Sequence, residues 1–125
     1  MSANPEDVEG GKVEISQEVS NAMRTLTNID TQYYNATKEL QYQSSLHQRS
    51  LLTCAELNEL PQDIKVFRTV GRMFIRDNLD DMKAEVSNIV VSAAEEQGKL
   101  QKTLETLQKH RAELDKNLKE LTKAL

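Results

Sequence analysis

Two apolar repeats constrain this chain more than any other feature. In the first half, Ile15, Val19, Ala22, Leu26, Ile29, Tyr33, Ala36 and Leu40 follow one another in alternating steps of four and three. Such steps average three and a half residues, the period of a coiled-coil helix, whereas a strand repeats every second residue. In the second half the same steps run through Val86, Val90, Ala93, Gln97, Leu100, Leu104, Leu107, Arg111, Leu114, Leu118, Leu121 and Leu125, broken only by the polar Gln97 and Arg111. A helix over 77–125 would be about 70 Å long. A helix with a single apolar stripe is stable only when that stripe is covered. The spacing therefore predicts two long helices folded back on each other as an antiparallel coiled coil.

Local signals set the expected boundaries. Residues 1–12 form a polar, acidic leader that ends at Gly10-Gly11-Lys12, and they are expected to be disordered. The first helix is predicted over 13–51. After Leu40 its seam positions turn polar, at Gln43, His47 and Ser50. Thr53 stands three residues before Glu56, the spacing of a capping box, which predicts a short separate helix over 53–60. Leu57 and Leu60 would face inward, and Pro61 would stop it. Asp77 is the expected cap of the second long helix over 77–125. Asp80 and Asp81 lie in its first turn, where the helix dipole favours negative charge.

The segment between the helices is the least helical part of the chain. Val66, Phe67, Thr69, Val70, Phe74 and Ile75 favour strands, and Gly71 suits a tight turn. We read a β-hairpin over 65–76. Both of its faces carry apolar side chains, and an isolated two-stranded hairpin is marginal in water. The remaining sequence holds no further strands to cover it, so the neighbouring strands are expected from other subunits. The fold class is then mainly α, a long antiparallel two-helix coiled coil whose central hairpin joins an intersubunit β-barrel. Residues 13–125 form a single domain, with both chain ends at the tip away from the hairpin.

Composition narrows the function. The chain has 125 residues, 38% of them hydrophobic, with five aromatic rings and no Trp, so a compact core is hard to build. No apolar run reaches the roughly 18 residues of a membrane span, and no apolar signal-peptide core precedes the first helix. The one cysteine, Cys54, has no internal disulfide partner, which fits a reducing, cytoplasmic setting. A net charge of −4 gives no electrostatic reason to bind nucleic acid or an anionic membrane. A basic-zipper DNA binder is excluded because no basic region precedes either seam.

Chemistry-bearing motifs are absent or isolated. His47 and His110 lie far apart in sequence, and Cys54 has no activating neighbour. No Cys/His cluster has ligand spacing, and the glycines form no phosphate loop. An enzyme is therefore not expected, nor any metal or cofactor. Asn35-Ala36-Thr37 fits a glycosylation sequon, but in a helical setting it reads as chance. Gln97 and Arg111 read as layers that set register, and Gly98 beside Gln97 marks the expected bend point of the second helix.

With these residues in view, the chain resembles the prefoldin family, within it the β-class subunits of eukaryotes. The sharpest stretch is Val66-Phe67-Arg68-Thr69-Val70-Gly71-Arg72-Met73-Phe74-Ile75. Phe67 occupies a position often held by Tyr in the family, so the ring is kept and a hydroxyl lost. The resemblance implies a hexamer of two α-class and four β-class subunits. Its hairpins would form a double β-barrel base from which six coiled coils extend. It also implies an ATP-independent co-chaperone that holds unfolded actin and tubulin and passes them to the cytosolic chaperonin. On this reading Val66, Phe67, Val70, Gly71, Arg72, Met73, Phe74 and Ile75 form the subunit interface. Apolar seams fray near helix ends, which makes Val13, Ile15, Val19, Leu118, Leu121 and Leu125 the candidate client-binding tip. The alternative is a structural or tethering coiled-coil protein, which explains the repeats and leaves the apolar hairpin without a role.

Overall fold

The structure is a computed structural model that describes residues 5–124. Helix α1 spans Pro5–Glu59, strand β1 Val66–Val70, strand β2 Met73–Asp77 and helix α2 Leu79–Lys123. The chain divides into two compact units. One holds residues up to Thr37 and from Lys102 onward, and the other holds Lys38–Gln101.

In the first unit α1 and α2 lie antiparallel along the predicted seam. Ile29 and Leu107 are its buried side chains, and Ile15, Val19, Ala22, Leu26, Tyr33, Ala36, Leu104, Leu114, Leu118 and Leu121 are half-buried. Two polar contacts set the register. Arg111 Nε lies 2.9 Å from Asp30 Oδ1. Gln108 Nε2 donates to the Tyr33 hydroxyl at 3.0 Å. Three residues forward on α1 thus match three residues back on α2. Arg111, which interrupts the apolar seam, is itself exposed and reaches across to a carboxylate. The hydroxyls of Thr25, Thr27, Thr31 and Thr37 each donate to the carbonyl four residues back, so these β-branched residues sit in α1 with their polar groups satisfied. That contact engages the Thr37 hydroxyl of the sequon.

The second unit carries the largest departures from expectation. Helix α1 does not end near residue 51, and no separate helix covers 53–60; α1 runs without a break to Glu59. Thr53 turns its hydroxyl back to the Arg49 carbonyl at 2.9 Å and caps nothing. The polar positions Gln43, His47 and Ser50 continue the seam, with Ser50 only 7% exposed. A seam needs small or satisfied side chains at its contact positions, and Ser meets that need as Ala does. On α2, Ala93 is 1% exposed, the tightest position in this unit. Pro61 is the real stop, and the last turn tightens through Leu60 N–H to the Leu57 carbonyl at 3.3 Å.

Two further boundaries differ. The leader is helical from Pro5 rather than disordered through residue 12, because proline at the first helical position lacks only an N–H that would have no partner there. Residues 1–4 of that leader lie outside the described residues. The cap of α2 is Asn78, not Asp77. The Asn78 side-chain oxygen accepts the Asp80 N–H at 2.8 Å, and the Asn78 carbonyl accepts the Met82 N–H at 3.0 Å. Asp77 is instead the last residue of β2, paired with Val66.

Leu107→Ala should cost about 2–3 kcal/mol, because it empties a buried seam position. Leu52→Ala, at a site 66% exposed, should change stability by less than about 0.5 kcal/mol. Thermal unfolding followed by circular dichroism separates the two. Gly98 lies inside continuous α2, and a Cβ added there meets nothing within 4 Å. Gly98→Ala should therefore gain about 0.5–1 kcal/mol in the same measurement.

Candidate functional site

The candidate site is the hairpin, built from ten strand residues and a two-residue turn. Its antiparallel register pairs Val66 with Asp77, Phe67 with Arg76, Arg68 with Ile75, Thr69 with Phe74 and Val70 with Met73. Gly71 and Arg72 close it. Gly71 has φ of +62°, and no described non-glycine residue has a positive φ. A positive φ at the first central position alone is the pattern of a type II′ turn, whose twist matches that of the flanking strands. Glycine is required there, since a side chain would be strained even though the space around it is open.

Residues opposite each other in an antiparallel pair share a face. One face therefore carries Val66, Val70, Met73 and Ile75, and the other carries Phe67 and Phe74. Neither is covered. Phe74 is 75% exposed, Met73 65% and Phe67 54%, with Val70 and Ile75 about half exposed. Only Val66 and Asp77, at the open end, are half-buried. There β1 meets both helices, where Phe67 lines a shallow groove with Leu57, Met82, Val86 and Ile89. The sheet has two strands only. Among the described residues each outer strand edge thus lacks a pairing neighbour, a template for further strands.

A polar network holds the open end to α2. Arg68 Nε lies 3.0 Å from Asp77 Oδ2, and Nη1 lies 3.1 Å from Glu85 Oε1. Its Nη2 donates to Glu85 Oε2, completing a two-pronged grip. Asp77 Oδ1 accepts the Asn78 N–H at 2.8 Å. That backbone donor, followed by Arg68, holds the Asp77 carboxyl below its ordinary value. Arg68 does the same to Glu85. Glu85, and then Asp77, push the Arg68 guanidinium above its ordinary value.

The interface residues expected from sequence all fall in this hairpin, seven of the eight of them exposed. The expected tip residues divide differently. Val13 is exposed, Ile15, Val19, Leu118 and Leu121 are half-buried along the seam, and Leu125 lies outside the described residues. Sequence reasoning missed the Arg68–Asp77–Glu85 network. Asp77 had the position of a helix cap, and nothing local ties Arg68 to a glutamate in the next helix. It also passed over the exposed Ile64, Leu51, Leu52 and Val91 beside the hairpin. His47 is half-buried on the seam, His110 is exposed, and Cys54 Sγ lies 3.9 Å from Ser87 Oγ. Among the described residues no group of three His, Cys, Asp or Glu side chains is placed to hold a metal ion. No described helix is long and apolar enough to cross a membrane.

A family model described as prefoldin subunit matches residues 17–125, nearly the whole chain. The chain belongs to the prefoldin subunit family. It is 30% identical over 73 residues to prefoldin subunit 1 of Arabidopsis thaliana, a stretch that makes up 58% of this chain and 57% of that relative. The chain thus spans a little over half the length of that prefoldin. Among solved structures it is similar to the prefoldin beta subunit from Thermococcus strain KS-1. That likeness has a TM-score of 0.50 and 23% identity, over 86% of this chain and 88% of that one. At this identity the likeness is one of fold: two long helices joined by an antiparallel hairpin.

The hairpin's grip on α2 should be sensitive to acid. Asp77 and Glu85 have folded-state values below the ordinary 3.8 and 4.5. Their contribution is therefore complete above those ordinary values and is lost as pH falls through the lower folded ones. Amide hydrogen exchange of residues 66–77 should rise relative to that of the α2 seam between about pH 5 and pH 3. The Glu85→Gln variant should flatten most of that rise.

Proposed function

We propose that this chain is a β-class subunit of a heterohexameric prefoldin. In this reading the assembly is an ATP-independent co-chaperone of the cytoplasm. It holds non-native proteins such as actin and tubulin and passes them to the cytosolic chaperonin. The observation that carries the reading is the hairpin, apolar and exposed on both faces with both edges open, in a chain of the prefoldin subunit family. Such a hairpin is marginal alone and gains pairing and burial only from neighbouring strands. The partners are two α-class and three other β-class subunits, whose hairpins complete a shared barrel with Val66, Phe67, Val70, Gly71, Arg72, Met73, Phe74 and Ile75. The role needs no catalytic group and no cofactor.

Client holding is assigned to the helix ends. Val13, Ile15, Val19, Leu118 and Leu121, with Leu125, offer apolar contacts that are weak one at a time. Several such ends on one assembly raise the effective concentration and turn weak contacts into holding.

Native mass spectrometry of the complex isolated from cell lysate tests the assembly. Six subunits of this size, 14.2 kDa each, give about 85 kDa. A homodimer, or a bundle with unrelated helical partners, would favour the tethering role instead. Deleting residues 66–77 should leave a helical protein that no longer joins the hexamer. Removing residues 1–19 and 118–125 should leave the hexamer intact and weaken its suppression of client aggregation. Unchanged suppression would move client contact away from the helix ends.

A further inference from the structure

The hairpin is held at one end only. Its turn, at Gly71-Arg72, is the end farthest along the strands from that anchor, and most of its large apolar side chains are exposed. Packing alone therefore leaves its direction weakly determined. What the open end has instead is Arg68, which contacts the last residue of β2 and the second turn of α2 together. Asp77 also accepts the Asn78 N–H, and Asn78 caps α2. Hairpin and helix are thus joined through one continuous set of hydrogen bonds.

We infer that Arg68 is a positioning residue for assembly, which fixes the direction of the hairpin on α2 and so presents its strand edges to an incoming strand in one orientation. The inference rests on the reading of the hairpin as the assembly edge. The chemistry favours direction over stability. All three side chains are at least a quarter exposed, and ion pairs in such settings stabilise a fold little. A guanidinium gripping a carboxylate with two prongs does fix relative orientation, which a lysine ammonium does not. An edge already held in its bound direction loses less freedom on docking, and so docks more tightly.

The test compares full-length chains joining the remaining prefoldin subunits, with incorporation followed by native mass spectrometry across a concentration series. Arg68→Gln and Glu85→Gln should each raise the concentration for half-incorporation by about tenfold. Arg68→Lys should recover only part of the loss. The double variant should be no worse than either single one, because both remove the same grip. Thermal melting of the isolated chain should stay unchanged in all four variants, while amide exchange of residues 66–77 rises. Incorporation of Glu85→Gln at wild-type concentrations, full rescue by Arg68→Lys, additive losses or lowered melting would each overturn the assignment. Phe74→Asp separates this from the reading beneath it. If Phe74→Asp is blocked while Glu85→Gln is silent, only the Arg68 assignment falls. If Phe74→Asp assembles normally, the hairpin-edge reading falls and takes the assignment with it.

Discussion

Burial of the heptad seam is the interaction on which the rest of this structure depends. Neither α1 nor α2 would persist alone, since each has one apolar stripe and a largely polar remainder. In each unit that stripe is the covered one. Ile29 and Leu107 are buried in the first unit, and Ser50, Leu79 and Ala93 in the second. Small residues at several seam positions let the backbones approach, and the few polar ones are either engaged or compact. The Asp30–Arg111 and Tyr33–Gln108 contacts add register to what is otherwise a repetitive surface, where a slip of one heptad would bury a similar area.

The seam absorbs most of the apolar residues that two helices can cover, and the hairpin is left over. Its residues are as hydrophobic as any in the chain, yet Phe74, Met73 and Phe67 rank among the most exposed. A chain with no third layer has no means of hiding them. That surplus is what makes the protein incomplete as a single chain. The same physics that stabilises the helices therefore directs the hairpin toward other strands.

Arg68 illustrates how electrostatics and assembly meet in this arrangement. The guanidinium lowers the pKa of two carboxyls and is itself raised by them. In so exposed a setting these shifts say more about geometry than about stability. They report that three groups on β1, β2 and α2 are held within hydrogen-bonding distance, at the one place where the hairpin touches the helices.

The sequence by itself determined the two seams, the hairpin between them and its Gly71 turn. Those features rest on local periodicity and on backbone sterics, which act over a few residues and so are written in the order of the chain. It also located the exposed interface candidates, because no third element exists to cover them. Tertiary structure alone decided the rest. Helix α1 continues past Ser50 because its polar seam positions are packed against α2, which outweighs a local capping signal at Thr53. Asp77 belongs to β2, and Asn78 caps α2, because strand pairing with Val66 claims the aspartate first. The Arg68–Glu85 grip joins residues separated by two strands and a turn of helix, a distance that no local pattern spans.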